Sequence, residues 1–292
     1  MDRNSAWKTF YAEQEAALRK GEQIAEAYEF RAPPVDPFRL LKAERKLIHA
    51  VGEDFGDAFD GRIRYVGNRF LLCFNTKYNS WRHSGTHHSR VLFSIAHELG
   101  HYFLDRHRKC LVTNRRPHDS FSEFTAHSLI ETEADHFAAG LLMPSYLVRK
   151  NVNRENFPKI DNILEVRRQF DVSLTGLLAR WTQLSDFPCA TVATYQGIIQ
   201  FGWVSEPLRN QGCYRVRRGH APECRYFKRF LGQHSPISTY GQGNGCGNTD
   251  YWLDWDSHSF DTAEMYFAIP HSGYVWAFLM CDENDLSDDR FD

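Results

Sequence analysis

Between Arg90 and Leu104 the apolar residues Leu92, Ile95, Ala96, Leu99, Phe103 and Leu104 recur three and four apart, the period of a helix buried along one side. No proline falls between 89 and 108, and Gly100 is the only weak helix former there. A second run, Ile130, Ala134, Phe137, Ala138, Leu141 and Leu142, has the same spacing and stops at Pro144. Upstream, the Glu/Ala-rich stretch 5–30 predicts a helix, which Pro33, Pro34 and Pro37 separate from the next segment. Phe38 to Phe55 also has helical periodicity, with Leu40, Leu41, Leu47, Ile48 and Val51 on the apolar side. From Arg62 to Asn75 the pattern changes to two short strands joined at Gly67-Asn68.

Polar stretches at 77–89 and 106–125 predict loops, the second basic and suited to one rim of a cleft. Residues 160–184 predict two helices around Phe170-Asp-Val-Ser173, with Ser173 as N-cap of the second. Past Phe187 the texture is strand-like at 190–195, 197–204, 213–217 and 274–281, with a turn at Gln196-Gly197 and a short helix within 222–232. Gly241–Asn248 is expected to be a flexible loop; it lacks the Lys-Ser/Thr ending of a phosphate cradle.

The first helix carries His97-Glu98-Leu99-Gly100-His101, the H-E-x-x-H pattern. Residues four apart share a helix face, so His97 and His101 can aim two imidazoles at one cation. Glu98, one step round, can reach a water on that cation and act as its base. A catalytic zinc takes a third protein ligand, and two candidates stand out. His107 nearly completes the metzincin pattern, but Leu104 occupies the position where Gly lets the backbone turn; otherwise it is a polar residue in the last helical turn. Glu131 is the other. Asp135, four residues on, shares its face and can accept the spare ring N–H of a ligand histidine. Glu133 points elsewhere and is expected to face solvent. Two carboxylates on a mostly buried helix are costly without a cation or hydrogen-bonding partner.

Phe93-Ser-Ile-Ala-His-Glu-Leu-Gly-His-Tyr-Phe-Leu, followed downstream by Glu131-Thr-Glu-Ala-Asp-His-Phe-Ala-Ala-Gly-Leu-Leu-Met-Pro, resembles the ImmA/IrrE family of metallopeptidases over roughly residues 35–185. The resemblance implies a gluzincin-like zinc site with His97, His101 and Glu131 as ligands and Glu98 as general base. It also implies a cytoplasmic protease that cleaves a helix-turn-helix repressor and so relieves repression of stress or mobile-element genes. The fold class expected is α+β. An N-terminal helix (1–34) precedes a mainly helical zincin-like domain with a small sheet (35–150). A helical pair (151–186) then leads to a C-terminal α+β domain (187–292), sensory or partner-binding.

With 292 residues, 42% of them hydrophobic, the chain can build more than one core. Its first residues are polar and no run of 18 apolar residues occurs, so neither a signal segment nor a membrane span is expected. The net charge of −2 gives no general reason to bind nucleic acid, and the second helix of 160–184 offers only Arg180, Thr182 and Gln183 as polar reach. Seven scattered cysteines read as reduced cytosolic thiols. Cys213, His220, Cys224 and Cys246 lack zinc-ribbon spacing. Tyr251-Trp252-Leu-Asp-Trp255 is either a ligand patch or a half-buried strand, and 282–292 is an acidic tail.

Three readings are open: a zinc endopeptidase (one Zn²⁺ per chain, Mn²⁺ or Fe²⁺ being compatible) acting on a protein partner; a metal-bound regulator that binds its partner without hydrolysis; and a DNA-binding regulator. Glu98 favours the first, because a pure binding module has no need of a general base. For the oxyanion, His127, His136, Tyr146 and the arginines between 106 and 116 are the candidates.

Overall fold

The Glu/Ala-rich start of the chain forms α1 (Arg3–Ala27). The computed structural model describes residues 3–81, 87–114, 118–120, 129–150, 160–234, 237, 240–254, 259–270 and 273–281. The expected acidic tail, His127 and Trp255 lie outside them. The described residues divide into two units, one from Met1–Asn151 with Leu164–Leu177, the other from Val152–Ile163 with Leu178–Asp292.

In the first unit, Asp36 caps α2 (Pro37–Ala43) by accepting from Phe38 N at 2.9 Å. The helix expected to run to Phe55 ends there, and Ile48–Glu53 is instead a strand, β1, parallel to β3 (Arg69–Asn75). Leu47, Ile48 and Val51 keep a helical spacing, with Ile48 and Val51 on opposite faces of the strand, and pairing with β3 overrides that local pattern. Arg69 holds the break, its guanidinium donating to the Arg45 and Lys46 carbonyls at 2.9 Å each. β2 (Gly61–Val66) and β3 form the hairpin predicted at Gly67-Asn68. The sheet order is β1-β3-β2-β4, with β4 being His118–Ser120. Two expected loops are partly regular: Lys77–Trp81 is a 3₁₀ turn and Asp105–Asn114 is helix α4.

The motif helix α3 (Ser89–Phe103) is tied to this sheet at its start. His88 Nδ1 accepts from Arg90 N at 3.2 Å. Arg90 donates to Asp60 Oδ2 at 2.9 Å, and Tyr78 OH donates to Asp60 Oδ1 at 2.7 Å. The second motif helix, α5 (Leu129–Leu142), packs on α3 at Gly100, where an added Cβ would lie 3.2 Å from the Phe137 ring and 3.3 Å from Ala134. On α5's other side Gly140 and Gly21 bring α1 into backbone contact: a Cβ at Gly140 would collide with the Leu18 carbonyl. Ile95, Leu99, Ala134, Phe137, Ala138 and Leu141 are fully buried between these helices. At about 1.5–3 kcal/mol for each large side chain, this packing fixes the register of α3 on α5. A short α6 (Ser145–Val148) comes next. The unit boundary runs through α7 (Ile160–Phe170) and α8 (Leu174–Leu184), the predicted pair; Ser173 Oγ accepts from Gly176 N at 3.0 Å, the expected cap.

The second unit is an antiparallel sheet in the order β6-β5-β11-β10-β8. β5 (Cys189–Tyr195) and β6 (Ile198–Val204) turn at Gln196 and Gly197, whose φ values of 50° and 78° suit a two-residue hairpin. After α9 (Glu206–Asn210), β7 (Arg215–Val216) pairs with β9 (Leu253–Asp254). Helix α10 (Arg225–Gln233) lies against β8, which is Gly241–Asn248, the stretch expected to be a loop. Its alternating glycines carry no strand propensity; they make room instead. A Cβ at Gly243 would sit 2.5 Å from Phe230, and one at Gly245 would sit 2.6 Å from Tyr226. β8 pairs with β10 (Asp261–Ala268), a strand without clear sequence signal, and β10 with β11 (Tyr274–Cys281).

Trp252 is core rather than a surface patch: it is fully buried and its Nε1–H donates to Glu264 Oε1 at 2.8 Å. Cys213, His220, Cys224 and Cys246 do not gather. Cys213 Sγ faces the Asp254 carbonyl, Cys224 Sγ faces Glu264, and His220 and Cys246 are exposed. No helix among the described residues is long and apolar enough to cross a membrane.

Candidate metal centre

Gly100 lets α5 come close to α3, and the facing turns carry the polar residues. His97 and His101 are buried, and their Nε2 atoms face each other at 3.1 Å. Glu131, in the first turn of α5, puts Oε2 3.3 Å from His97 Nε2 and Oε1 3.7 Å from His101 Nε2. All three donor atoms fall within 4.8 Å of one another, the single such His/Cys/Asp/Glu group among the described residues. His97 Nδ1 lies 2.8 Å from Asp135 Oδ1. Glu98 is fully buried on the adjoining position of α3.

Two imidazole nitrogens and a carboxylate so close together could hold a metal ion. The electrostatics favour positive charge there. Burial works against a charged His97, yet the hydrogen bonds to Asp135 and Glu131 outweigh it and carry its pKa up to about 10.

Two expectations fail here. α3 ends at Phe103, with Leu104 extended (ψ 116°), so His107 lies in the first turn of α4 and not in the last turn of the motif helix. It is not aimed at the donor set. Its Nδ1 is 3.1 Å from His101 Nδ1 and its Nε2 is 2.6 Å from Glu133 Oε2. Burial pulls the His107 imidazole below its ordinary pKa. Glu133 is therefore no solvent-facing residue: it is buried, and its other oxygen accepts from Arg106 Nη2 at 2.6 Å. The reach between α4 and α5 depends on the chain break at Leu104, which helical periodicity carried straight through.

The oxyanion candidates among the described residues have other work. Tyr146 OH donates to the Phe30 carbonyl at 2.8 Å, and His136 Nδ1 is 2.8 Å from the Thr132 carbonyl of its own helix. Arg106 is held by Glu133, and Arg108 stacks over Tyr102 at 4.6 Å.

Residues 83–182 match the Peptidase M78 family profile, described as an IrrE N-terminal-like domain. Over those residues the chain is similar to a Peptidase M78 domain. The match spans α3, α5 and all of His97, Glu98, His101, Glu131 and Asp135. That similarity supports a protease-like function. A Mycobacterium tuberculosis transcriptional regulator of solved structure aligns with a TM-score of 0.54 at 14% identity, over 98% of this chain and 83% of its own, a likeness of fold alone. No curated protein matches the sequence.

Proposed function

We propose that this chain is a zinc-dependent endopeptidase of gluzincin type, with His97, His101 and Glu131 as ligands and Glu98 as general base. The observation that carries the reading is the burial of Glu98 one position from a His97–His101–Glu131 donor set, within the residues similar to a Peptidase M78 domain. A zinc ion bound there would lower the pKa of a water and polarise a peptide carbonyl. Glu98 takes the proton from the attacking water and delivers it to the leaving amine. Asp135 accepts from His97 Nδ1–H, so Nε2 is the nitrogen that would give up its proton and its lone pair to a bound metal.

The partner is a protein, and the ImmA/IrrE resemblance favours a DNA-binding repressor in the cytoplasm, whose cleavage relieves repression of stress or mobile-element genes. Residues 35–150 form the catalytic domain in this reading. Residues 187–292 serve as a sensory or partner-binding domain, and the chain does not itself bind DNA. The test is metal content of the purified chain and of Glu131→Ala, together with cleavage of co-expressed repressors by wild type and Glu98→Gln. One zinc per chain, lost in Glu131→Ala, with cleavage lost in Glu98→Gln while zinc is retained, is the expected result. Zinc binding with partner regulation unchanged in Glu98→Gln would replace the endopeptidase with a non-hydrolytic regulator. No metal in wild type after zinc is supplied would overturn the reading.

A further inference from the structure

The two histidines of the donor set are supported in different ways. His97 has a carboxylate directly on its Nδ1, whereas the Nδ1 of His101 faces a third histidine. We propose that His107 and Glu133 act as a positioning pair for His101, fixing both its ring orientation and the proton on its Nδ1. The proposal rests on the metal-site reading above and deepens it.

The proton positions can be assigned from the outer end inward. Arg106 holds Glu133 Oε1 at 2.6 Å, which keeps that carboxylate an acceptor. Glu133 Oε2 lies 2.6 Å from His107 Nε2, so that nitrogen carries the hydrogen and donates. In a neutral ring the remaining nitrogen, Nδ1, is then an acceptor. The atom facing it at 3.1 Å is His101 Nδ1, which must therefore be the N–H. The lone pair of His101 is left on Nε2, the nitrogen that faces His97 Nε2 and Glu131. Along the series Arg106–Glu133–His107–His101, swapping either tautomer would put two hydrogens or two lone pairs against each other; the assigned one leaves the only facing lone pairs at the Nε2 atoms of His97 and His101, 3.1 Å apart, where a cation would take them up. His107 and His101 are both about 2% exposed, so water does not readily take over either role. α4 begins directly after Leu104, and this brings His107 back under His101.

The test uses the full chain, stripped of metal and titrated with zinc against a chromophoric competitor, and with Co²⁺ read by its visible d–d absorption. His107→Leu is expected to weaken zinc binding by about 10–100-fold and to change the Co²⁺ spectrum. His107→Asn, whose amide oxygen can stand in for Nδ1 as acceptor, is expected to recover part of both. A folded His107→Leu with wild-type affinity and spectrum, in a chain that loses its metal in Glu131→Ala, would overturn the positioning pair and leave the metal site standing. If His107→Leu does not fold, Glu133→Gln carries the test: weaker zinc binding with an altered Co²⁺ spectrum supports the pair, and no change in either overturns it. Wild type that binds neither metal would overturn this proposal and the function it rests on together.

Discussion

His97 Nδ1 lies 2.8 Å from Asp135 Oδ1, across the contact between α3 and α5. The bond joins a ring on one motif helix to a carboxylate on the other, so it orients the ring and locks the register of the pair. Asp135→Asn keeps the volume but gives the ring a weaker acceptor, and Asp135→Ala removes the acceptor altogether. Both are expected to fold. Zinc affinity should fall by about 10–100-fold in Asp135→Ala and less in Asp135→Asn, measured by competition with a chromophoric chelator. Equal affinity in all three proteins would mean that packing alone orients His97.

Much of this arrangement is legible without coordinates. α3 and α5 are long enough for a 3.6-residue period to be unambiguous, and their polar residues interrupt that period at the spacings a shared site requires. Asp135 and Glu131 emerge from the same argument, since i and i+4 must share a face. Glu133 and His107 do not. Their contact joins residues 26 apart through a helix break at Leu104 that has neither Pro nor Gly to announce it. β1 and β8 were hidden for opposite reasons. β1 has the apolar spacing of a helix, which its pairing with β3 overrides, and β8 has glycines whose purpose is visible only once α10 lies on them.

Gly140 is where α5 meets the backbone of α1. A side chain there would run into the Leu18 carbonyl, which cannot swing away as a side-chain tip could. Gly140→Ala is therefore expected to destabilise the first unit by about 1–3 kcal/mol in urea unfolding, despite alanine's better helix propensity. Gly232, in α10, is the control, because nothing lies within 4 Å of the corresponding Cβ. Gly232→Ala should be neutral or stabilising by up to about 1 kcal/mol. Equal effects at the two positions would refute the close-approach argument.

Glu264 is buried in the second unit with no cation beside it among its described partners. Instead it collects hydrogen bonds: Trp252 Nε1 at 2.8 Å, Thr262 Oγ1 at 2.9 Å, Cys224 Sγ at 3.2 Å, and the Tyr266 hydroxyl. Glu264→Ala strands several buried donors at once and is expected to cost about 3 kcal/mol or more. Glu264→Gln preserves shape and one accepting oxygen, so it should cost less. Chemical denaturation followed by tryptophan fluorescence separates these outcomes, and a loss below about 1 kcal/mol in Glu264→Ala would show that the donors find other acceptors.

The thiols offer a prediction in which pH sets the sign. Cys110 and Cys246 are exposed, while Cys189, Cys213, Cys224 and Cys281 are buried. Burial pushes Cys189 and Cys213 up to about 12, above the ordinary thiol value of 9.0. In native protein a disulfide-exchange reagent should therefore label Cys110 and Cys246 first and reach Cys189 and Cys213 only on unfolding. The same shift has a thermodynamic consequence. Between about 9 and about 12 the unfolded chain has released these two protons and the folded chain still holds them, so the unfolded state binds fewer protons. Stability contributed by the two thiols is full below about 9 and is lost as pH rises through that window. Unfolding midpoints measured across the window should fall with pH in wild type and fall less in a Cys189→Ala, Cys213→Ala double variant. Equal slopes in the two proteins would place the alkaline sensitivity in other groups.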